Sequence, residues 1–511
     1  MESLWGEDFD VSEKDTSKIL KKIKNKVVKE KKEEKTKKNI SLDEKIKSIE
    51  EEVLRILGKH ADNIVCIRDI ITFHNYITEG LREDYLSVDT ETNNTTETYN
   101  GLLMGLCLYY PKGKQAYIPV NHIDRETKEK LPNQISPQQI NEELQRVVKN
   151  NNKIIMHNAI FDYQVISRNC GVDLPIYWDT MVAAAVLNEN EEVGLKAQYV
   201  SKIDPTQEKY NINHLFENLL YAILPPELFA YYAATDAMMT GKLYEHQEKE
   251  FQRPENKKIY RVFRDVEMGV LPVVAKMEMR GVRVDREFNA RLSEKYNDKL
   301  KKCDNYIQEE LEKLRPEIEK WRHSEKALSR SRSYAPQKTK ISDVELKERY
   351  PQTDREGRRY KEGKPLAEQL SEPLNLGSPT QLAILFYDIL KCPAVDKKQP
   401  RATGEEALNA LAEKTGLTIC KLLTERREIV KLISTYIDNI PKLVDLWGDG
   451  KIRTHFRQYG AKTGRFSSGG KIRFVDEQGH NQEINTINMQ NIPAHEKSIR
   501  MTFEADPGKL L

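Results

Sequence analysis

The 511-residue sequence has no C-x-x-C pair and no zinc-ligand spacing; Cys66, Cys107, Cys170, Cys303, Cys392 and Cys420 are scattered singly. That scatter argues against a disulfide framework or a structural zinc site and suits a reducing compartment. Net charge is also nearly absent, because 82 Lys plus Arg almost cancel 80 Asp plus Glu. Partners must therefore be read from local charge. No apolar run approaches the length of a membrane span, and the N-terminus lacks the basic start and apolar core of a secretory signal. The expectation is a cytoplasmic protein with no membrane partner. Aromatic residues are missing from the Lys/Glu-rich run Lys18–Lys38, so residues 1–45 cannot build a core and are expected to form a disordered or transiently helical tail. A docking peptide around Trp5 and Phe9, or a nonspecific hold on nucleic-acid phosphate by the lysines, are the alternatives there. The length predicts two to four domains.

What is present centres on Asp84–Thr92, D-Y-L-S-V-D-T-E-T, where a short apolar run ends in Asp89 and Glu91. Residues two apart on an extended chain project to one side, so the two acids can converge on divalent cations. Other D-x-E triplets, such as Asp124/Glu126 and Asp265/Glu267, lack that strand-like lead-in and read as solvated surface. Before this stretch, Ile46, Ile49, Val53, Ile56 and Leu57 follow helical spacing. After it, Leu102–Tyr110 and Gln115–Val120 predict strands joined by a turn at Pro111–Lys114. A helix is expected over Pro137–Lys149 and a strand at Lys153–Met156, with Asn158 at the following turn and Asp162 near a helix start. Trp178-Asp-Thr-Met181 precedes a small-residue helix, Val182–Leu187, and Val193-Gly-Leu-Lys-Ala197 opens another, to which a packing role is assigned. Pro225-Pro226 starts a helix on which Tyr232 and Asp236, four apart, share a face.

Asp89-x-Glu91, Asn158-x-x-Phe161-Asp162 and Tyr232-x-x-x-Asp236, in that order, resemble the three motifs of the DEDDy 3′→5′ exonucleases, a group that includes the proofreading domains of DNA polymerases. Trp178–Met181 and Gly194-Leu-Lys196 resemble the segments between those motifs. The resemblance implies an α/β RNase H-like domain over residues 46–250. In it Asp89, Glu91, Asp162 and Asp236 would ligate two Mg²⁺ or Mn²⁺ ions, Tyr232 would orient the attacking water, and Asn158 and Phe161 would meet the single-stranded 3′ end of DNA. The chemistry suits these residue types: two divalent cations roughly 4 Å apart stabilise the attacking and leaving oxygens of a phosphodiester, and carboxylates are their hard oxygen ligands. Without metal the acids would repel, so raised pKa values are expected.

From about residue 255 the pattern changes. Val266–Asp285 reads as an amphipathic helix closed by Gly281 and a short extended segment, and Phe288–Leu314 as a long charged helix. Residues 321–370, with Ser329-Arg-Ser-Arg-Ser333, read as a flexible basic insertion, a solvated loop in preference to a DNA contact. Asn375-Leu-Gly-Ser-Pro-Thr-Gln381, Glu405–Leu411 and Glu425–Tyr436 resemble the thumb of family-A DNA polymerases. Thr463-Gly-Arg-Phe-Ser-Ser468 and Asn488-Met-Gln-Asn-Ile-Pro493 resemble that family's T-G-R-x-S-S and L-Q-N-I-P segments, with Met489 in place of leucine and a longer connection between them. The resemblance implies a mainly α-helical thumb over 251–445 and an incomplete α+β palm over 446–511. Arg427, Lys431, Tyr436, Arg465, Ser467, Gln490 and Asn491 would contact primer-template DNA. The sequence ends where, in the resembled family, the first catalytic palm strand begins, so palm and fingers are expected on a second polypeptide of a split polymerase, in preference to a truncated product. The expected protein is the proofreading and DNA-binding portion of a replicative polymerase in a bacterial or phage-infected cytoplasm. A free-standing DEDDy exonuclease and a non-catalytic assembly subunit are the alternatives.

Overall fold

A computed structural model describes residues 42–93, 95–216, 219–335, 343–354, 357–461, 463–475, 481–494 and 496–509. The tail expected over residues 1–45 lies outside these residues up to position 41. The chain divides into two compact units, the first reaching Met279 and taking back Phe456–Ser467 and Ile472–Glu483, the second holding the remainder from Arg280.

In the first unit the helical spacing near the start gives α1 (Leu42–Leu57), with Ile49, Val53 and Leu57 buried. Then follow β1 (Ile64–Cys66), α2 (Ile70–Gly80), β2 (Tyr85–Thr92), β3 (Leu103–Tyr109), β4 (Gln115–Pro119), α3 (Pro137–Lys149) and β5 (Lys153–Met156). After these come α4 (Ala159–Cys170), β6 (Trp178–Asp179), α5 (Thr180–Leu187), α6 (Leu195–Lys202) and the long α7 (Pro226–Phe251). The strands form one sheet in the order β1-β4-β3-β2-β5-β6. β3 runs antiparallel to both β2 and β4, while β5 and β6 continue parallel from β2.

Side-chain alternation along β2 divides this sheet into two apolar faces. Leu86 and Val88 join Leu106, Leu108, Val165 and Ile166 on the α4 face. Tyr85, Cys107 and Tyr109 join Phe229, Ala233, Ala237 and Tyr244 on the α7 face. Gly241 sets how closely α7 crosses β2: a Cβ there would lie 2.6 Å from Ser87 Oγ and 2.8 Å from the Tyr85 ring. The β2–β5 ladder stops at Ser87↔Ile155, whereas β2–β3 runs on to Thr92↔Leu103. The carboxylate-bearing end of β2 is thus unpaired on one edge.

The second unit is mainly helical. Its longest helix, Arg286–Arg322, exceeds the Phe288–Leu314 expected from sequence. Asp285 caps its start by accepting the Phe288 N–H at 2.8 Å, and the pairs Glu310–Lys313 and Glu312–Arg315 carry it on towards Pro316 and beyond. The helix packs on Thr418–Leu432, where Asp304 and Arg426 form a 2.6 Å ion pair. Residues 321–370 do not form the bare loop expected: Arg330–Tyr334, Arg359–Pro365 and Gln352–Thr353 make a three-stranded antiparallel sheet. Trp321 and Ala327 anchor its base in a small core with Leu370 and Ile384. Among the described residues no helix is long and apolar enough to cross a membrane.

Candidate active site

Asp89 and Glu91 sit on the α7 side of β2, opposite Cys107 and Gly105 of β3. A Cβ on Gly105, opposite Glu91, would collide with the Tyr117 ring at 2.3 Å, so glycine leaves room for that ring. Carboxylate oxygens of Asp89 and Glu91 and the buried Cys107 sulfur all lie within 4.8 Å of one another. Thr90, between the two acids, points the other way. Its N–H, on the edge that β5 leaves open, donates to Asp162 Oδ1 at 2.9 Å, and its hydroxyl donates to the same oxygen at 2.7 Å. Asp162 of α4 is thereby tied to the end of β2.

The turn that delivers Asp162 is set by two residues. Asn158 adopts a left-handed conformation, φ +64°, which asparagine tolerates better than most residues. Buried Asp179 then gathers four backbone N–H groups, those of Asn158 and Ala159 at the α4 start and of Met181 and Val182 at the α5 start. One carboxylate therefore fixes the N-termini of two helices. Trp178 beside it is buried and donates to Gln247, which donates in turn to the Thr180 carbonyl and locks the distal part of α7.

α7 brings Tyr232 and Asp236 to the Glu91 side. Asp236 Oδ2 lies 3.4 Å from Lys196 Nζ of α6, and its buried Oδ1 has no hydrogen-bond partner among the described residues. Tyr232 stacks on Phe229, ring centroids 5.4 Å apart, and accepts a hydrogen bond from the Tyr221 hydroxyl at 3.2 Å. A cavity of about 340 Å³ opens beside it, bounded by Lys196, Asn213, Tyr232 and Asp236 among others.

The electrostatics tie the four acids together. Burial, then Asp162, Glu91 and Asp236, raise the Asp89 carboxyl well above its ordinary range, and Lys196 opposes them. Burial and then Asp236 push Glu91 up to about 8. Burial pushes Asp162 up to about 8, against the two Thr90 hydrogen bonds. Burial and the Glu91 charge raise the Tyr232 phenol, so it stays protonated. The oxygen-rich donor set, mutually repulsive and with one buried oxygen orphaned, fits divalent cations.

Asn158 is exposed at the rim and Phe161 is half-buried one residue before Asp162. Sequence reasoning missed Thr90 and gave Lys196 only a packing role. The first stood in plain view between two acids, and the second lay in the Gly194-Leu-Lys196 segment. The remaining candidates have no place in this cluster. Arg465 is exposed after Gly464, φ +70°, and Ser467 lies where a Cβ on Gly460 would strike its hydroxyl, both in the first unit. In the second unit Gln490 and Asn491 are exposed, in a turn where Ser468 donates to Asn488 at 2.8 Å. Exposed Lys431 and half-buried Arg427 border a groove with Glu405 and Glu496, and Arg427 donates to the Thr403 carbonyl. Tyr436, expected at DNA, is instead buried, its hydroxyl donating to the Asn491 carbonyl at 2.8 Å, because it closes the helix Thr418–Leu432 against that turn.

Two protein families match the chain: one described as 3'-5' exonuclease over residues 64–252, the other as DNA polymerase family A over residues 350–511. DNA polymerase I of Borreliella burgdorferi is 24% identical over 436 residues, 83% of this chain and 37% of the relative. The DNA polymerase of Escherichia phage T5 is 26% identical over 387 residues, 71% of this chain and 37% of the relative. The chain thus spans a little over a third of the length of these two curated relatives. Among solved structures, the POL domain of Pol1 from M. smegmatis, in complex with DNA primer-template and dNTP, matches with a TM-score of 0.55 at 19% identity, covering 85% of this chain and 57% of that one.

Proposed function

We propose that the chain is a family-A DNA polymerase relative and that residues 46–250 form an RNase H-like proofreading domain that removes nucleotides one at a time from DNA 3′ ends. The carrying observation is that Asp89 and Glu91 on β2 each feel the charges of Asp162 from α4 and Asp236 from α7. The mixed sheet with three strands continuing parallel on one side supports the RNase H-like assignment. We assign residues 251–445 to a thumb and 446–511 to the beginning of a palm, with Arg427, Lys431, Arg465, Ser467, Gln490 and Asn491 as contacts to primer-template. A relative solved with primer-template and dNTP supports DNA as the ligand. The relatives lend no support to a second polypeptide.

Asp89, Glu91, Asp162 and Asp236 would hold two Mg²⁺ or Mn²⁺ ions, which when bound supply Lewis-acid stabilisation of the attacking and leaving oxygens. The protein's own groups supply the rest. The hydrogen bonds from Thr90 fix Asp162, and Asp179 fixes the turn before it, so two of the elements bearing carboxylates keep their geometry before substrate arrives. Tyr232 accepts from Tyr221, which leaves its own proton free to orient the attacking water or a phosphate oxygen. Asn158 and Phe161 border the path of the 3′ strand. Water adds to phosphorus as the bond to the 3′ oxygen breaks, giving a nucleoside 5′-monophosphate and a shortened strand with a 3′-hydroxyl.

The test is release of nucleotides from a 5′-labelled primer-template by the purified chain with Mg²⁺. Stepwise 3′ shortening is expected, with a loss of about a thousandfold or more in Asp89→Ala/Glu91→Ala. Equal shortening by both proteins would end the assignment.

A further inference from the structure

Among the described residues, Asp236 is the member of the acid cluster that pairs with a cation. Lys196 approaches it from α6 at 3.4 Å, and the same ammonium donates to Asn213 Oδ1 at 3.1 Å and stands 5.5 Å from the centre of the Tyr232 ring. It therefore has two places to rest besides the carboxylate, an amide oxygen and an aromatic face, and both border the cavity of about 340 Å³. The side chain is 38% exposed, so it is free to withdraw. Its field reaches beyond Asp236 to Asp89 and Glu91.

We propose that Lys196 is a positioning residue that acts as a resident counter-cation of the exonuclease site: it holds Asp236 in place when divalent metal is scarce and must withdraw into the adjoining cavity when metal loads. An ammonium 3.4 Å from a carboxylate oxygen and a divalent cation on the same carboxylate repel strongly at such range. Loading therefore includes breaking the Lys196–Asp236 pair, and Asn213 and the Tyr232 face receive the displaced ammonium. The consequence is a threshold: Lys196 weakens metal binding and keeps the nuclease idle until metal is abundant. This inference rests on the metal-site reading above.

The experiment uses the full chain, stripped of metal, and measures Mn²⁺ binding by calorimetry and by the signal of free Mn²⁺ in electron paramagnetic resonance, without DNA. Lys196→Gln should bind Mn²⁺ about tenfold more tightly than wild type, and Lys196→Arg, which keeps the charge, should stay within about twofold. Metal-free Lys196→Gln should melt at a lower temperature than wild type and gain more on adding Mn²⁺. Unchanged or weaker Mn²⁺ binding by a folded Lys196→Gln protein, as judged by circular dichroism, overturns the proposal. A change of KM for DNA with metal affinity untouched does the same, since it would place Lys196 on substrate phosphate. Asp89→Ala/Glu91→Ala keeps the two failures apart: Mn²⁺ binding that survives this variant refutes the metal-site reading itself, whereas binding lost there but indifferent to Lys196→Gln refutes the counter-cation alone.

Discussion

At Glu91 and Asp162, burial and neighbouring charges carry the carboxyls up to a pKa of about 8. In the unfolded chain such groups titrate near 4. Between about pH 4 and 8 the unfolded state therefore ionises while the folded state keeps its protons, so the metal-free protein is most stable below that window and loses stability as pH rises through it. Thermal melts in EDTA should show the midpoint falling from pH 5 to 8, with saturating Mg²⁺ restoring most of the loss and Asp89→Asn/Glu91→Gln flattening the slope. A flat wild-type profile would contradict the shared site. Tyr232, whose hydroxyl accepts from Tyr221, is a separate case, since the role proposed for it is to orient water and not to ligate metal. Tyr232→Phe should retain metal binding and lower the single-turnover rate by about tenfold to a hundredfold, and loss of metal binding in that variant would count against the assignment. Strand spacing of two puts Asp89 and Glu91 on one face and helix spacing of four does so for Tyr232 and Asp236, whereas Asp162 and the grouping of all five into one proposed site came from the resemblance to the DEDDy motifs. Lys196 was not legible in the sequence, because its role depends on where α6 lies against α7, which no local periodicity encodes.

Asp179 shows how one element end governs another. Its carboxylate holds the first N–H groups of α4 and α5 together. Asp179→Ala orphans these donors and should destabilise the fold by about 2–4 kcal/mol. It should also cost nuclease activity beyond that, because the Asn158 turn carrying Asp162 loosens. Asp179→Asn, which keeps one acceptor oxygen, should recover part of both in urea unfolding and single-turnover assays, and an alanine variant of wild-type stability would refute the capping role. In the second unit Asp388 is fully buried between Arg401 at 2.5 Å and Lys326 at 2.7 Å. Burial alone would raise its carboxyl, but the Arg401 and Lys326 hydrogen bonds outweigh it and hold the group below its usual range. The stability from this trio is full above about pH 4 and is lost as pH falls through the lowered value. Asp388→Ala should cost about 2–3 kcal/mol by chemical denaturation at pH 7, at the low end for a broken buried pair because both cations are half exposed and rehydrate. Strands and helices with apolar periodicity were readable from sequence. The sheet within residues 321–370 was not, since its long strand Arg359–Pro365 is R-Y-K-E-G-K-P, charged on both faces and held by backbone pairing.

At the scale of the whole molecule, the first unit is discontinuous in sequence. Glu278, buried near the end of its continuous part, accepts from Gln164 of α4 at 2.9 Å and from the Phe456 N–H at 2.5 Å, and Gln458 donates to Glu267 at 2.6 Å. Those partners are separated by 178 and 191 residues. The sequence marked residues 456–467 by their Thr463-Gly-Arg465 motif, yet nothing local in it linked them to the unit that carries the acids, because no pattern rule reaches across such a separation. The linkage has a direct consequence for dissection of the chain. A fragment ending at Met279 would keep β2, α4 and α7 but leave the buried Glu278 carboxylate without its Phe456 donor and Glu267 without Gln458. Each lost hydrogen bond to a buried or charged group costs about 1–3 kcal/mol, so the fragment should unfold at several degrees lower than the same unit in the full chain, with α4, which bonds to Glu278, exchanging its amides early. Hydrogen exchange and calorimetry on both proteins decide it: equal melting and equal α4 protection would mean that the returning segments merely rest on the first unit, and early α4 exchange would mean that they complete it.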